Sequence, residues 1–218
     1  MLLEKLKNRL VIICGHYGAG KTNVAVNLAR AAAKDGKRVC IADFDVVNPY
    51  FRTADNKEEL TELGIRCIIP QFANTNVDIP SIPAEFQSVF VSDELCIIDV
   101  GGDDGAIALS VYRDKFLQCG YDMLYVYNAC RPLIAEPEEA VQSVQFIEAM
   151  SGLKISGIVN NSNLGVETSA ETVRQGKEKC LSVSKQTGIP FMASSVFRWV
   201  DTADDDLFLM DNATKQLF

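Results

Sequence analysis

Short, continuous runs of apolar and β-branched residues alternate with longer amphipathic stretches along the whole chain. Arg9–Cys14 (RLVIIC), Lys37–Asp43, Ile65–Ile69, Leu95–Val100, Asp122–Asn128, Ile155–Asn160 and Pro190–Ser194 read as strands. Most are apolar at successive positions, the pattern of strands covered on both faces. Between them, Thr22–Lys34 reads as a helix ended by Asp35-Gly36. Pro137-Glu138-Glu139 opens another, because proline fits a first helical turn and acids favour its dipole. Val141, Val144 and Ile147 mark the apolar side of that helix. Thr168-Ser-Ala-Glu171 has capping-box spacing for a helix running to about Thr187. The alternation predicts an α/β fold, a mainly parallel, doubly wound sheet of about seven strands between two helical layers. No repeat or low-complexity linker divides residues 1–218, so one domain is expected. Its core would span about 9–198, with an acidic tail from 199 to 218, and Asn74–Pro83 reads as an ordered loop over the sheet.

The first strand leads into Gly15-His16-Tyr17-Gly18-Ala19-Gly20-Lys21-Thr22, a full match to GxxxxGK[ST] between a strand and a helix. Glycines let backbone N–H groups turn inward and approach phosphate oxygens without side-chain clashes. The helix N-terminus adds partial positive charge, Lys21 a full charge for the β- and γ-phosphates, and Thr22 a hydroxyl for Mg²⁺. The expected fold is thereby a three-layer P-loop NTPase with bound ATP and Mg²⁺.

Two acidic motifs follow at strand ends, where one edge of a parallel sheet converges on a single crevice. One is Asp43-Phe44-Asp45-Val46-Val47-Asn48 and the other is Asp99-Val100-Gly101-Gly102. Asp99 fits a Walker B carboxylate that holds Mg²⁺ directly or through water. Gly101 and Gly102 can bring backbone N–H groups to the γ-phosphate. Asp103 and Asp104 read as solvated or as a helix cap.

This set of motifs resembles the MinD/ParA group of the SIMIBI class, from Arg9 to about Arg198. The resemblance implies that Asp43 lies near the metal and that Asp45 positions the attacking water. It also implies that Asn48 senses the nucleotide and that Asn160 reads the adenine. In one respect the chain departs from the group. The second, signature lysine after the first P-loop glycine is replaced by His16, whose side chain is shorter. The related cobyrinate-synthase and dethiobiotin-synthetase branch also lacks that lysine and activates carboxylates with ATP.

Composition narrows the partners. Acidic residues number 29 against 21 Lys+Arg, a net charge of −8, which disfavours nucleic acid or anionic lipid as the default partner. Arg174, Lys177, Lys179 and Lys185 share a helix with Glu171 and Glu178, the mixture of a solvated face. Seven cysteines form no CxxC or CxC pair, which points to reduced thiols rather than a metal site. No signal-like or membrane-spanning run is present, so a soluble, cytoplasmic protein is expected. Leu207–Met210, inside the acidic tail, is expected to dock on the domain or on a partner. Three functions follow: a nucleotide-switch ATPase working with a protein partner or as a homodimer, an ATP-dependent carboxylate-activating ligase with its acceptor near Ser81–Glu85 and Gly102–Ala106, and a non-hydrolysing binding module. The Asp43-Phe44-Asp45 motif favours the first, His16 the second, and intact Lys21, Thr22 and Asp99 disfavour the third.

Overall fold

The computed structural model of the chain describes residues 2–44, 56–69 and 84–213, with the backbone alone at 103 and 104. Asp45, Asn48, Ser81 and the loop Asn74–Pro83 therefore lie outside the described residues. The strands are β1 Leu10–Cys14, β2 Val39–Phe44, β3 Arg66–Ile68, β4 Leu95–Val100, β5 Asp122–Tyr127, β6 Gly157–Asn160, β7 Phe191–Phe197 and β8 Leu207–Met210. They form one sheet in the order β3-β2-β4-β1-β5-β6-β7-β8, and every pairing is parallel. β1 lies between β4 and β5, with Ile13 opposite Asp99, as the motif order required. All residues of β1, β2 and β5 are buried, which accounts for their unbroken apolar runs.

The helices are α1 Lys21–Lys34, α2 Lys57–Glu62, α3 Asp103–Ser110, α4 Arg113–Cys119, α5 Pro137–Ser151 and α6 Ala170–Thr187. Connections leaving β1 and β2 run toward the β3 edge, whereas those leaving β4, β5 and β6 run toward the β8 edge. Parallel crossovers are right-handed, so the two sets of helices cover opposite faces. The packing of α3 on α5 and of α5 on α6 fits this division. Phe44 of β2 meets Phe86, and Phe86 in turn meets Phe90 and Tyr112, an aromatic cluster that closes the β2–β4 half of the core.

Two details differ from the sequence reading. The sheet has an eighth strand, because Leu207–Met210 docks in parallel on β7 through Ser194↔Leu207 to Phe197↔Met210. The acidic residues before it are drawn in by cations, Asp204 by Lys177 at 2.5 Å and Asp206 by Lys5 at 2.6 Å. The segment thus docks on the domain, one of the two outcomes expected of it, and does so as a strand of the sheet. The cap of α6 is Ser169, one residue later than expected, and its hydroxyl accepts the Thr172 N–H at 3.2 Å. Thr168 instead donates to the Gly165 carbonyl at 2.6 Å and closes the preceding turn. Proline does open α5, with Glu136 and Glu139 forming a reciprocal capping box around it.

Candidate functional site

The strand order reverses direction around β1, and its C-terminal end is where a doubly wound sheet opens a crevice. The loop Gly15–Gly20 fills that position. Gly15, Gly18 and Gly20 have φ of 144°, 74° and 88°, a region that other residues enter with strain. At two of these glycines space is also decisive. A Cβ on Gly15 would lie 2.6 Å from the Val126 carbonyl oxygen of β5, and one on Gly20 only 2.2 Å from Asn161 Nδ2. Beneath the loop, burial pushes the Cys14 thiol up to about 12, leaving it a neutral apolar filler.

Lys21 opens α1, is 8% exposed, and its Nζ donates to the His16 carbonyl at 3.1 Å across the loop. The Thr22 hydroxyl donates to Asp99 Oδ2 at 2.7 Å, so the two residues expected to share a metal are in direct contact. Asp43 stands opposite Asp99 in the β2–β4 register, and the two are 2% and 3% exposed. Registered residues on parallel strands share a face at ~4.8 Å. Two buried carboxylates on neighbouring strands repel when both are charged, and a divalent cation with oxygen ligands suits them. The donor set therefore fits Mg²⁺, with phosphate oxygens and water completing the shell. Gly102 abuts the loop from the same side, since a Cβ on it would sit 3.5 Å from Tyr17 Cβ. His16 is half-buried and the Tyr17 side chain is exposed.

The opposite flank is built from residues without a motif. Asn161 Nδ2 donates to the Ala19 carbonyl at 2.7 Å, and the Ser195 hydroxyl donates to Asn161 Oδ1 at 2.7 Å. β6 and β7 thereby hold the phosphate loop from beside β5. Asn160, the residue expected to read adenine, turns away from the loop. Its Nδ2 donates to the Val173 carbonyl at 3.2 Å and to Ser194 Oγ at 3.1 Å, and its Oδ1 accepts the Ser162 N–H at 3.1 Å. It is fully buried, and a Cβ on Gly176 of α6 would come within 2.9 Å of its Oδ1. The only sequence signal for Asn161 was its place in the Asn160-Asn161 pair. Ser195 carried none.

Comparison with known proteins bears on the family and the fold. The family model of the CobQ/CobB/MinD/ParA nucleotide binding domain (CbiA) matches residues 10–201. The cytosolic Fe-S cluster assembly factor cfd1 of Emericella nidulans is 33% identical over 105 residues, 48% of this chain and 29% of that protein. The iron-sulfur cluster carrier protein of Methanocaldococcus jannaschii is 43% identical over 47 residues, 22% of this chain and 16% of that protein. The chain thus matches less than a third of the length of either relative. Among solved structures, cell division protein FtsY of Thermotoga maritima superposes with a TM-score of 0.60 at 17% identity, covering 89% of this chain and 67% of that one. That likeness concerns the fold alone.

Proposed function

The chain belongs to the CobQ/CobB/MinD/ParA nucleotide-binding family, and from that premise we propose that it is a Mg-ATP-dependent switch ATPase. One observation carries the reading: the Thr22 hydroxyl, next to Lys21, donates to Asp99 Oδ2 at 2.7 Å, with Asp43 opposite Asp99 in the sheet register. Backbone N–H groups of Gly15–Gly20 hold the phosphates, and Lys21 balances their charge in a crevice that screens poorly. Thr22 and Asp99, with Asp43 beside them, would hold Mg²⁺. The bound ion would neutralise charge on the β- and γ-phosphates. Asp45 is proposed to orient the attacking water. Asn160 acts indirectly, through Ser162, by shaping the 161–165 loop on which the base is proposed to rest. ATP would order the loops after β2 and β4, hydrolysis would release them, and a protein partner or second copy would read the change. The cytoplasm is the compartment this reading assumes.

A nucleic-acid role finds little support on α6. Arg174 pairs with Glu171 and Glu178, Lys177 with Asp204, and Lys179 with Glu136. An iron–sulfur role such as the relatives' names describe finds little either. The sequence has no CxxC, and among the described residues no group of three His, Cys, Asp or Glu is placed to hold a metal ion. His16, in place of the signature lysine, keeps a second reading open, ATP-dependent activation of a carboxylate. The test is phosphate release from Mg-ATP by the purified chain, alone and with a panel of small carboxylic acids. Release without any acid supports the switch, release only with an acid supports the ligase, and no ATP binding at all removes both.

A further inference from the structure

Arg131 stands over the phosphate loop on a rigid support. Asn128, at the end of β5, is fully buried, and its Oδ1 accepts the N–H groups of Cys130 at 2.9 Å and Asn163 at 3.4 Å. The Arg131 N–H donates to the Asn128 carbonyl at 3.1 Å, and the Arg131 carbonyl accepts the Ile134 N–H at 3.0 Å. Pro132 follows, and Arg131 takes the extended conformation (φ −102°, ψ 121°) that a residue before proline prefers. Although the residue is exposed, its backbone is fixed on both sides.

From that base the side chain reaches the tip of the loop. A Cβ on Gly18 would lie 3.6 Å from Arg131 Nε and 3.8 Å from its Cδ and Cζ. The setting of the charge is unusual for this chain. Every other arginine among the described residues is engaged by a carboxylate or by backbone carbonyls. Arg131 has neither among the described residues, in a protein of net charge −8 with ample acid to supply one. A guanidinium kept clear of carboxylates beside a phosphate loop has a planar fork suited to two phosphate oxygens.

We propose that Arg131 is a phosphate-binding residue of this site, closing over Gly18 from the end of β5 to pair with the terminal phosphate of a bound nucleoside triphosphate. The inference rests on the nucleotide-binding reading above and adds a cation from the same chain to Lys21. Lys21 comes from inside the loop motif, whereas Arg131 approaches from outside it.

The experiment titrates wild type, Arg131→Ala and Arg131→Lys with Mg-ADP and with a non-hydrolysable Mg-ATP analogue, and follows Mg-ATP turnover. Arg131→Ala should weaken the triphosphate analogue by roughly tenfold or more, the diphosphate by clearly less, and lower turnover. Arg131→Lys should recover part of the loss, because it keeps the charge without the fork. Melting without nucleotide should be unchanged, and if Arg131→Ala melts lower, Arg131→Lys carries the comparison. Wild-type affinity and turnover in Arg131→Ala would overturn the inference, and so would an equal loss for both nucleotides. A wild-type chain that binds neither nucleotide would instead overturn the reading on which it rests.

Discussion

The two flanks of the phosphate loop are built on different chemistry. On the β2–β4 flank, Asp43, Asp99 and the Thr22 hydroxyl bring negative charge and oxygen ligands toward the loop. On the β5–β7 flank, Asn161, Ser195 and the turn on Asn128 supply neutral amide and hydroxyl groups, with Arg131 above them. The first flank concentrates carboxylate charge. The second holds backbone: Asn161 bonds a loop carbonyl, and Ser195 fixes Asn161. Chemistry and shape are thus assigned to opposite sides of one loop, and disturbing them should fail in different ways.

The sharpest break is at the centre. Lys21→Ala removes the charge that serves both flanks, and ATP affinity should fall by about a hundredfold, the equivalent of ~3 kcal/mol. Calorimetric titration reads it directly, and an unchanged affinity would remove the phosphate-loop assignment. Substitutions at Asp45 and Asp99 should then show two behaviours. Asp45→Ala should bind Mg-ATP nearly as wild type yet hydrolyse it roughly a hundredfold more slowly, since water positioning acts in the transition state. Asp99→Ala should lose the part of its affinity that depends on Mg²⁺. Single-turnover assays beside binding titrations at varied Mg²⁺ make the distinction.

The amide flank should register first in stability. Asn161→Ala strands the Ala19 carbonyl in a buried setting, at a cost of about 2 kcal/mol, while the Ser195 hydroxyl keeps the Asn160 carbonyl as acceptor. Urea unfolding should show that cost, with a smaller loss of nucleotide affinity because the loop loses one anchor. If Asn161→Ala abolished binding at wild-type stability, the division between the flanks would collapse.

The smallest effect lies at the other end of β4. Arg66 bonds the Glu94 carboxylate at 2.6 Å and holds its pKa below the usual 4.5. A carboxyl depressed by folding adds stability that is fully present above its unfolded value and lost as pH falls through the folded one. Glu94→Gln should therefore flatten the acid side of the melting profile, where pH falls below the usual carboxylate value of 4.5, while leaving ATP binding intact. One strand would then carry a structural acid at its start and a ligand acid at its end.

The carboxylate flank was readable because its residues belong to short motifs that local context confirms. Gly15–Thr22 needs only a strand before it and a helix after it, and Asp43 and Asp99 only strand ends on one edge. The amide flank was not readable. Asn161 meets Ala19, and Ser195 meets Asn161, across separations of 142 and 34 residues that no local pattern encodes. Asn160 shows the same limit within a pair of identical residues. Asn160 ends β6 and bonds inward to α6 and β7, whereas Asn161, the first residue beyond the strand, meets the loop. Leu207–Met210 escaped as a strand because four apolar residues after Asp204-Asp205-Asp206 carry no period, and the attraction of Lys177 and Lys5 for those acids is a tertiary fact.

The helix that carries Lys21 has a dependence in time as well as in space. Asn23 and Asn27 are buried in α1, although asparagine is a poor helix former. Asn23 Oδ1 accepts the Ala213 N–H at 2.7 Å, and Asn27 both accepts from the Asp211 N–H and donates to the Asp211 carbonyl, each at 2.8 Å. Those partners lie 190 and 184 positions further along the chain. A ribosome makes α1 early and its partners late, so a nascent chain holds a phosphate-loop helix whose inward amides still lack these protein partners. These contacts of the Lys21 helix form only when nearly the whole described chain has been made, and contacts so far apart in sequence are slow to close.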